Sequence, residues 1–230
     1  MLFAPQILSG RFLRPPAASG YAFLIAQSAG STDGGTTTTT TAAIDTTGAK
    51  LIAVSCTGFG QIPTLSDSAS NTWVTTLTEA DSGSVRQHTR YVINPTTSAS
   101  HTFTLAAVAA SGPSLAVAVF SDGSGTPVFD AAATVGTGTS STASASSLTP
   151  AVDNSIVIAG VGALDSISSI SNTNGDFIIP TNGKVSFSGG AHLGVAIAYL
   201  IQTTAAAADP DWTLASSVAW GATLPAYKPS

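Results

Sequence analysis

Apolar and polar residues alternate with a period of two along several segments of this chain. Residues 101–105 place His101, Phe103 and Leu105 on one face and threonines on the other, and 114–120 and 193–201 alternate in the same way. This period is typical of half-buried antiparallel strands, whereas a helix would repeat its apolar residues every three or four positions. No segment sustains such a helical stripe, so the pattern predicts an all-β protein.

The strand-like runs are short, regularly spaced and rich in Val, Ile, Thr and aromatic residues. Turn signals such as Asp81-Ser-Gly, Asp122-Gly and Asn182-Gly separate them. The predicted strands cover 21–29, 36–44, 50–57, 72–78, 85–94, 101–107, 114–121, 127–135, 139–147, 155–162, 184–188, 192–202 and 211–224.

This many short strands without helices predicts an antiparallel β-sandwich, with a jelly roll as the expected connectivity. We expect a single domain over 21–230, because the link at Asp122-Gly123 is short and apolar runs continue beyond it. Two smaller sandwiches divided at that link are the alternative.

Residues 1–20 follow neither period and contain Pro5, Pro15 and Pro16, which favour extended backbone. They are predicted to form an extended N-terminal arm. An arm with several apolar side chains should dock on its own domain or on a partner, so we expect an assembly role. The apolar side chains in question are Leu2, Phe3, Ile7, Leu8, Phe12 and Leu13.

Charged residues make up only 8% of the chain, against about a quarter in typical soluble proteins, and Ser, Thr, Ala and Gly replace them. Short side chains lose little rotamer entropy on burial, and a net charge of −5 repels identical copies weakly. Both features favour assembly, although they equally suit a secreted bacterial protein. Seven Lys and Arg residues form no basic patch, so nucleic acid is not an expected partner.

No run approaches the roughly 20 apolar residues that span a bilayer, so no membrane partner is expected. Arg11 and Arg14 follow the apolar pair Leu2-Phe3, whereas a secretory signal has its basic residues first. We therefore expect synthesis and retention in the cytoplasm before assembly.

No catalytic signature is present: there is no nucleophile elbow, metalloprotease helix, P-loop or dinucleotide fingerprint. Glu79 is the only glutamate, and with Asp81 it brackets what reads as a solvated turn rather than a glycosidase pair. The histidines His88, His101 and His192 are far apart in sequence, and only the first two could meet on adjacent strands. Cys56 lies in an apolar run and reads as a buried thiol. We predict a protein that is not an enzyme and has no cofactor or metal.

Two weaker binding hypotheses stay open. Oxygen-bearing side chains at 67–71 and 172–176 could hold calcium, but turn chemistry explains the same residues. Trp212 and Trp220 are eight positions apart, so one uninterrupted strand would place both rings on one side, as a sugar-stacking platform requires. Tryptophan in a sandwich is more often core or interface.

The segment 65–74 resembles turn-and-strand modules of tailed-phage structural proteins and bacterial surface proteins. The residues that carry this resemblance are Ser66, Asp67, Asn71, Thr72 and Trp73, after the apolar strand 51–56. The resemblance continues loosely through 90–93 and 117–121 and covers about 48–163. It implies a β-sandwich in a virion and transfers no catalytic residue.

The sequence and the resemblance together predict a non-enzymatic virion structural protein, such as a phage capsid decoration (cement) protein or a fibre or spike subunit. Its expected partners are itself, as a homo-oligomer with a trimer suggested by family analogy, and neighbouring virion proteins. Its expected location is the virion, assembled in the cytoplasm of a bacterial host. The alternative function is a carbohydrate-binding or adhesive module on a phage tail or bacterial surface.

Overall fold

The computed structural model describes residues 20–30, 36–75, 79–109, 111–123, 125–172, 176–186 and 193–230. The predicted arm residues Leu2, Phe3, Ile7, Leu8, Phe12 and Leu13, and also His192, lie outside these ranges. The strands in chain order are β1 (Tyr21–Gly30), β2 (Thr38–Thr40), β3 (Leu51–Phe59), β4 (Thr64–Asp67), β5 (Val74–Thr75), β6 (Ala80–Asp81), β7 (Val85–Ile93), β8 (Phe103–Ala106), β9 (Ser114–Asp122), β10 (Pro127–Ala132), β11 (Gly136–Ser144), β12 (Ser155–Ala163), β13 (Ile167–Ser171), β14 (Lys184–Val185), β15 (Gly194–Gln202), β16 (Asp211–Thr223) and β17 (Pro225–Pro229).

The first nine strands form two antiparallel sheets, and we call this half module 1. Its inner sheet has the order β1-β9-β3-β7, with β5 and β6 both on the outer edge of β7. Its outer sheet has the order β2-β8-β4. The side chains of one face of β3 and β9 pack on β4 and β8, around Ile52, Val54 and Phe103.

Strands β10 to β17, which we call module 2, repeat this arrangement. The central strand β12 pairs with β15 on one side and with β17 and the end of β16 on the other, as β3 pairs with β7 and β9. The start of β16 lies between β11 and β13, as β8 lies between β2 and β4. Trp212 and Leu214 are in the core of this module.

The ladder registers define which residues of the two modules are equivalent. Leu51 pairs with Ile93 and Phe120, and Ile156 pairs with Ile201 and Tyr227. Leu51 therefore corresponds to Ile156 and Phe120 to Tyr227. The chain contains the same β-module twice.

The two modules pack with their inner sheets face to face. β3 contacts β12, β9 contacts β15 and β7 contacts β16, a reciprocal arrangement in which equivalent strands exchange places. Such reciprocity is the property of a two-fold interface, in which one surface binds a second copy of itself.

Aromatic side chains show the same reciprocity. Phe23 stacks on Tyr199 at 5.1 Å between ring centroids, and Phe120 meets Tyr199 edge-on at 5.3 Å. Among the equivalent residues, Phe129 stacks on Tyr91 at 6.0 Å, and Tyr227 meets Tyr91 edge-on at 5.0 Å. The interface between the modules thus contains two matching aromatic triads.

The prediction of an all-β, antiparallel sandwich is confirmed. The jelly-roll connectivity, the arm over 1–20 and the single domain over 21–230 stay predictions. No helix that is long and apolar enough to cross a membrane occurs in the described ranges.

Four short strands were not predicted, namely β4, β6, β13 and β17. β4 and β13 are rich in hydroxyl side chains, β6 has two residues, and β17 begins and ends with proline. None has the alternation of apolar residues that marks a strand in sequence. Each forms because it pairs with a neighbouring strand, and this neighbour cannot be identified from the local sequence. Conversely, the threonine run predicted to pair over 36–44 forms a strand only at Thr38–Thr40, with an isolated bridge at Ile44.

Candidate functional site

A polar cluster outside the interface between the modules is centred on Asp67, at the end of β4. Its carboxylate accepts hydrogen bonds from the Trp73 indole N–H at 2.8 Å and the Ala69 backbone N–H at 2.8 Å. The Asn71 side chain and backbone N–H also donate to it, at 3.1 to 3.3 Å. The segment that carries the resemblance is therefore a turn closed on one carboxylate.

His101 connects this turn to a second loop. Its Nε2 lies 2.9 Å from Asp67 Oδ1, and its Nδ1 lies 2.9 Å from the Thr46 hydroxyl. Because an ionised carboxylate only accepts hydrogen bonds, Nε2 carries a proton. The ring also stacks on Phe103 at 4.4 Å.

The order hydroxyl, imidazole, carboxylate is that of a nucleophilic triad. However, Thr46 and His101 are 0% exposed, and so is the Asp67 side chain. The Thr46 hydroxyl also accepts a hydrogen bond from the Ser98 backbone N–H at 3.0 Å. A substrate cannot reach this hydroxyl. The hydrogen bonds connect the loops around residues 46, 70 and 98, so the arrangement fits a structural role rather than a reaction centre. Sequence reasoning named Asp67 and His101 but missed Thr46, which stands among many threonines.

His88 lies elsewhere, opposite Cys56 on the β3–β7 ladder and on the core side of β7. It is 1% exposed, and neither ring nitrogen has a hydrogen-bond partner. Burial, and secondarily the charge of Arg90, lowers the pKa of His88 to about 3. Burial also raises the pKa of the Cys56 thiol to about 12, as expected of an unreactive core cysteine. His88 and His101 do not converge on a common site.

Glu79 and Asp81 meet the same cation rather than a cleft. Arg86 lies 3.0 Å from Asp81 through Nη2 and 3.6 Å from Glu79 through Nε. The pKa of Glu79 is raised above its usual value. Partial burial is the main cause, the charge of Arg86 opposes it, and the charge of Asp81 adds to it. This ion-pair cluster secures the hairpin between β6 and β7.

The structure supports a calcium site at neither of the two segments. At the first segment, the Asp67 oxygens are already occupied by N–H donors. At the second, Asn172 Oδ1 accepts from the Asp209 backbone N–H, and residues 173–175 lie outside the described ranges. Among described residues, no group of three His, Cys, Asp or Glu side chains could hold a metal ion.

Trp212 and Trp220 both belong to the core of module 2. Trp212 is 1% exposed and Trp220 is 8% exposed. The Trp220 ring covers Gly138, and its N–H donates to the Ser140 hydroxyl at 2.9 Å. Since neither ring offers a free face, the sugar-stacking hypothesis has no support at these residues.

Hydroxyl side chains line up across the outer sheet β2-β8-β4 of module 1 and across the equivalent strands β11, β16 and β13 of module 2. Thr40, Thr104 and Ser66 stand side by side across β2, β8 and β4, and the Thr40 and Thr104 hydroxyls are 2.9 Å apart. The equivalent row of module 2 consists of Thr142, Thr213 and Ser169 across β11, β16 and β13. Each module therefore presents a hydroxyl row to solvent.

No protein-family model, no curated protein and no solved structure matches this chain.

Proposed function

We propose that this protein is a non-enzymatic structural component of a virus particle, a phage decoration or cement protein or a fibre or spike subunit. It acts by binding copies of itself and neighbouring virion proteins. The observation that carries this proposal is the pair of equivalent hydroxyl rows on the outer sheets, at Thr40–Thr104–Ser66 and Thr142–Thr213–Ser169.

These rows suit a surface that becomes buried between proteins. Thr and Ser side chains have few rotamers to lose, and a short hydroxyl can exchange its hydrogen bond with water for one with a partner. The solvent-facing members Thr40, Thr142 and Ser169 are exposed. Because the rows recur in both modules, one chain offers two similar surfaces, which is what a lattice or fibre needs.

The use of the polar residues supports the same proposal. Asp67, His101 and Thr46 bond to one another inside module 1, and the two acids beside Arg86 secure a hairpin. These groups hold a rigid frame on which surfaces are displayed. The placement in a bacteriophage virion rests on the resemblance at 65–74.

The arm at 1–20 is proposed as a second assembly element. Light scattering on the full chain beside a version without residues 1–20 tests it. We expect the full chain to form a stable oligomer and the shortened chain to have a lower mass. Equal, monomeric masses for both would contradict the assembly role of the arm.

The hydroxyl rows are tested by placing charge on them. The double variant Thr40→Lys/Thr142→Lys adds one long cationic side chain to each row, which costs rotamer entropy and desolvation on burial. We expect its oligomer to dissociate at concentrations where the parent chain stays associated. Ser147→Lys, at an exposed loop position, is the matched control and should leave the mass unchanged. The assignment is overturned if the double variant stays associated while the control dissociates.

A further inference from the structure

One half of the interface between the modules contains a polar cluster, and three residues of this cluster have apolar equivalents in the other half. On the polar side, the Gln87 amide donates to the hydroxyls of Ser55 and Thr223, both at 3.1 Å. The Thr89 and Thr223 hydroxyls lie 2.7 Å apart. Gln87, Thr89 and Ser55 belong to module 1 and Thr223 to module 2, so the two contacts made by Thr223 cross the interface.

The ladder registers show what replaces this cluster on the other side. Ser55 pairs with Thr89 and Ala116, and Gly160 pairs with Ile197 and Thr223. Likewise, Thr57 pairs with Gln87 and Ser114, and Gly162 pairs with Val195 and Gly221. The equivalents of Gln87 and Thr89 are therefore Val195 and Ile197, and the equivalent of Thr223 is Ala116.

Glycines of module 2 make room for the polar side chains. A Cβ at Gly160 would lie 2.5 Å from the Thr89 hydroxyl and 2.8 Å from the Gln87 amide nitrogen. A Cβ at Gly162 would lie 2.6 Å from the Thr57 hydroxyl. In module 1 the equivalent positions hold Ser55 and Thr57, which do carry a Cβ.

We propose that this cluster selects the partner of each inner face, so that module 1 binds module 2 and does not bind a second module 1. If two module 1 faces met, Ser55 would stand where Gly160 now lies, against Thr89 and Gln87 of the other copy. If two module 2 faces met, Thr223 would face Val195 and Ile197, and its buried hydroxyl would have no partner.

The cluster is not optimised for stability, which supports a role in partner choice. Gln87 is 0% exposed, and its Oε1 has no hydrogen-bond partner. A buried polar group in this state costs folding free energy. Buried polar groups that specify pairing at the expense of stability are known from other folds.

The test is refolding of the full chain from urea at low and high protein concentration, followed by light scattering. The variant Gln87→Val/Thr89→Ile/Thr223→Ala gives these three positions the residues of their equivalents and so replaces the polar side chains that face Gly160 by the apolar ones of the other half. We expect the parent chain to return to one species at every concentration. The variant should return to mixed species, with the share of larger, interchain species rising at least several-fold between the two concentrations.

Thr46→Val is the matched control, because it removes a buried hydroxyl from the Asp67 cluster and leaves the inner face intact. It should refold to the parent species. The inference is overturned if the triple variant refolds like the parent, or if the control yields the same interchain species. The result is separable from the proposed assembly role, because that role concerns the native oligomer and this test compares the products of refolding.

Discussion

Asp67 is surrounded almost entirely by hydrogen-bond donors. Trp73 and His101 side chains and the backbone of Ala69 and Asn71 all direct N–H groups at its two oxygens. A carboxylate suits this environment because both of its oxygens accept hydrogen bonds. An amide would not suit it, because the NH₂ group would face other donors.

Asp67→Asn should therefore lower the free energy of unfolding by about 2–4 kcal/mol, since the change leaves buried donors unpaired. Urea unfolding followed by Trp fluorescence measures this loss. Asp45→Asn is the control, because Asp45 is exposed and its hydrogen bonds come from the neighbouring Thr47. Equal effects of the two substitutions would show that the Asp67 cluster contributes little.

The buried His88 should make the stability of the protein decrease at acidic pH. Its pKa is about 3 in the folded chain against 6.5 in the absence of burial, so between these values the unfolded chain binds a proton that the folded chain does not. Above pH 6.5 the protonation of His88 does not lower the free energy of unfolding. Below pH 6.5 this free energy falls by up to ~1.4 kcal/mol per pH unit as the pH drops toward 3.

His88→Leu should flatten this dependence. We expect urea midpoints measured from pH 7 to pH 4 to fall less steeply in the variant than in the parent chain. Parallel curves would mean that His88 is protonated or hydrated in the folded state.

At the scale of elements, the two ends of β11 approach each other more closely than a side chain at Gly136 would permit. A Cβ at Gly136 would lie 1.7 Å from the Ser144 carbonyl oxygen, and a Cβ at Gly138 would lie 2.8 Å from the Trp220 ring. The first obstacle is backbone, which cannot rotate away. The curvature that brings both ends of β11 together therefore depends on glycine at 136.

Gly136→Ala should destabilise the protein by about 2 kcal/mol or more, because the strand must move to admit the methyl group. Thermal unfolding by circular dichroism measures the effect. Gly123→Ala is the control, since its Cβ would meet only the Gly20 carbonyl oxygen, at 3.6 Å. A small effect at Gly136 would show that β11 can shift at little cost.

At the scale of the whole molecule, the shared interface should couple the two modules. Phe120, Tyr199 and Tyr227 belong to the cluster between the inner sheets, and this cluster draws fully buried side chains from both modules. Neither module can unfold without exposing the apolar face of the other.

We expect one cooperative thermal transition, with calorimetric and van't Hoff enthalpies that agree. Two resolved transitions would contradict this expectation and would favour two independently folding sandwiches over a single domain across 21–230.

The internal repeat was not predicted, although short sequence signals of it exist. Phe103-Thr-Leu corresponds to Trp212-Thr-Leu, and Tyr91-Val-Ile corresponds to Tyr199-Leu-Ile. Each match is three residues long, and few residues between them are shared. A β-module can keep its register while changing most residues, because the ladder bonds are made by the backbone.

The alternation of apolar and polar residues is sufficient to predict most of the strands and the fold class, because it is local and each of these strands carries it independently. It also places Trp212 and Trp220 on one side of their strand, and both do belong to one cluster. Whether that side meets solvent or a second sheet is not contained in the period. Only the tertiary structure shows that the rings are buried.

The polar clusters depend on tertiary structure for the same reason. His101 is 34 residues from Asp67 and 55 from Thr46, and Gln87 is 136 residues from Thr223. Hydroxyl and amide side chains bond to whatever the fold brings within about 3 Å, and nothing in their local sequence specifies that partner. The folding of module 1 creates the Asp67 cluster, and the packing of module 1 against module 2 creates the contact between Gln87 and Thr223.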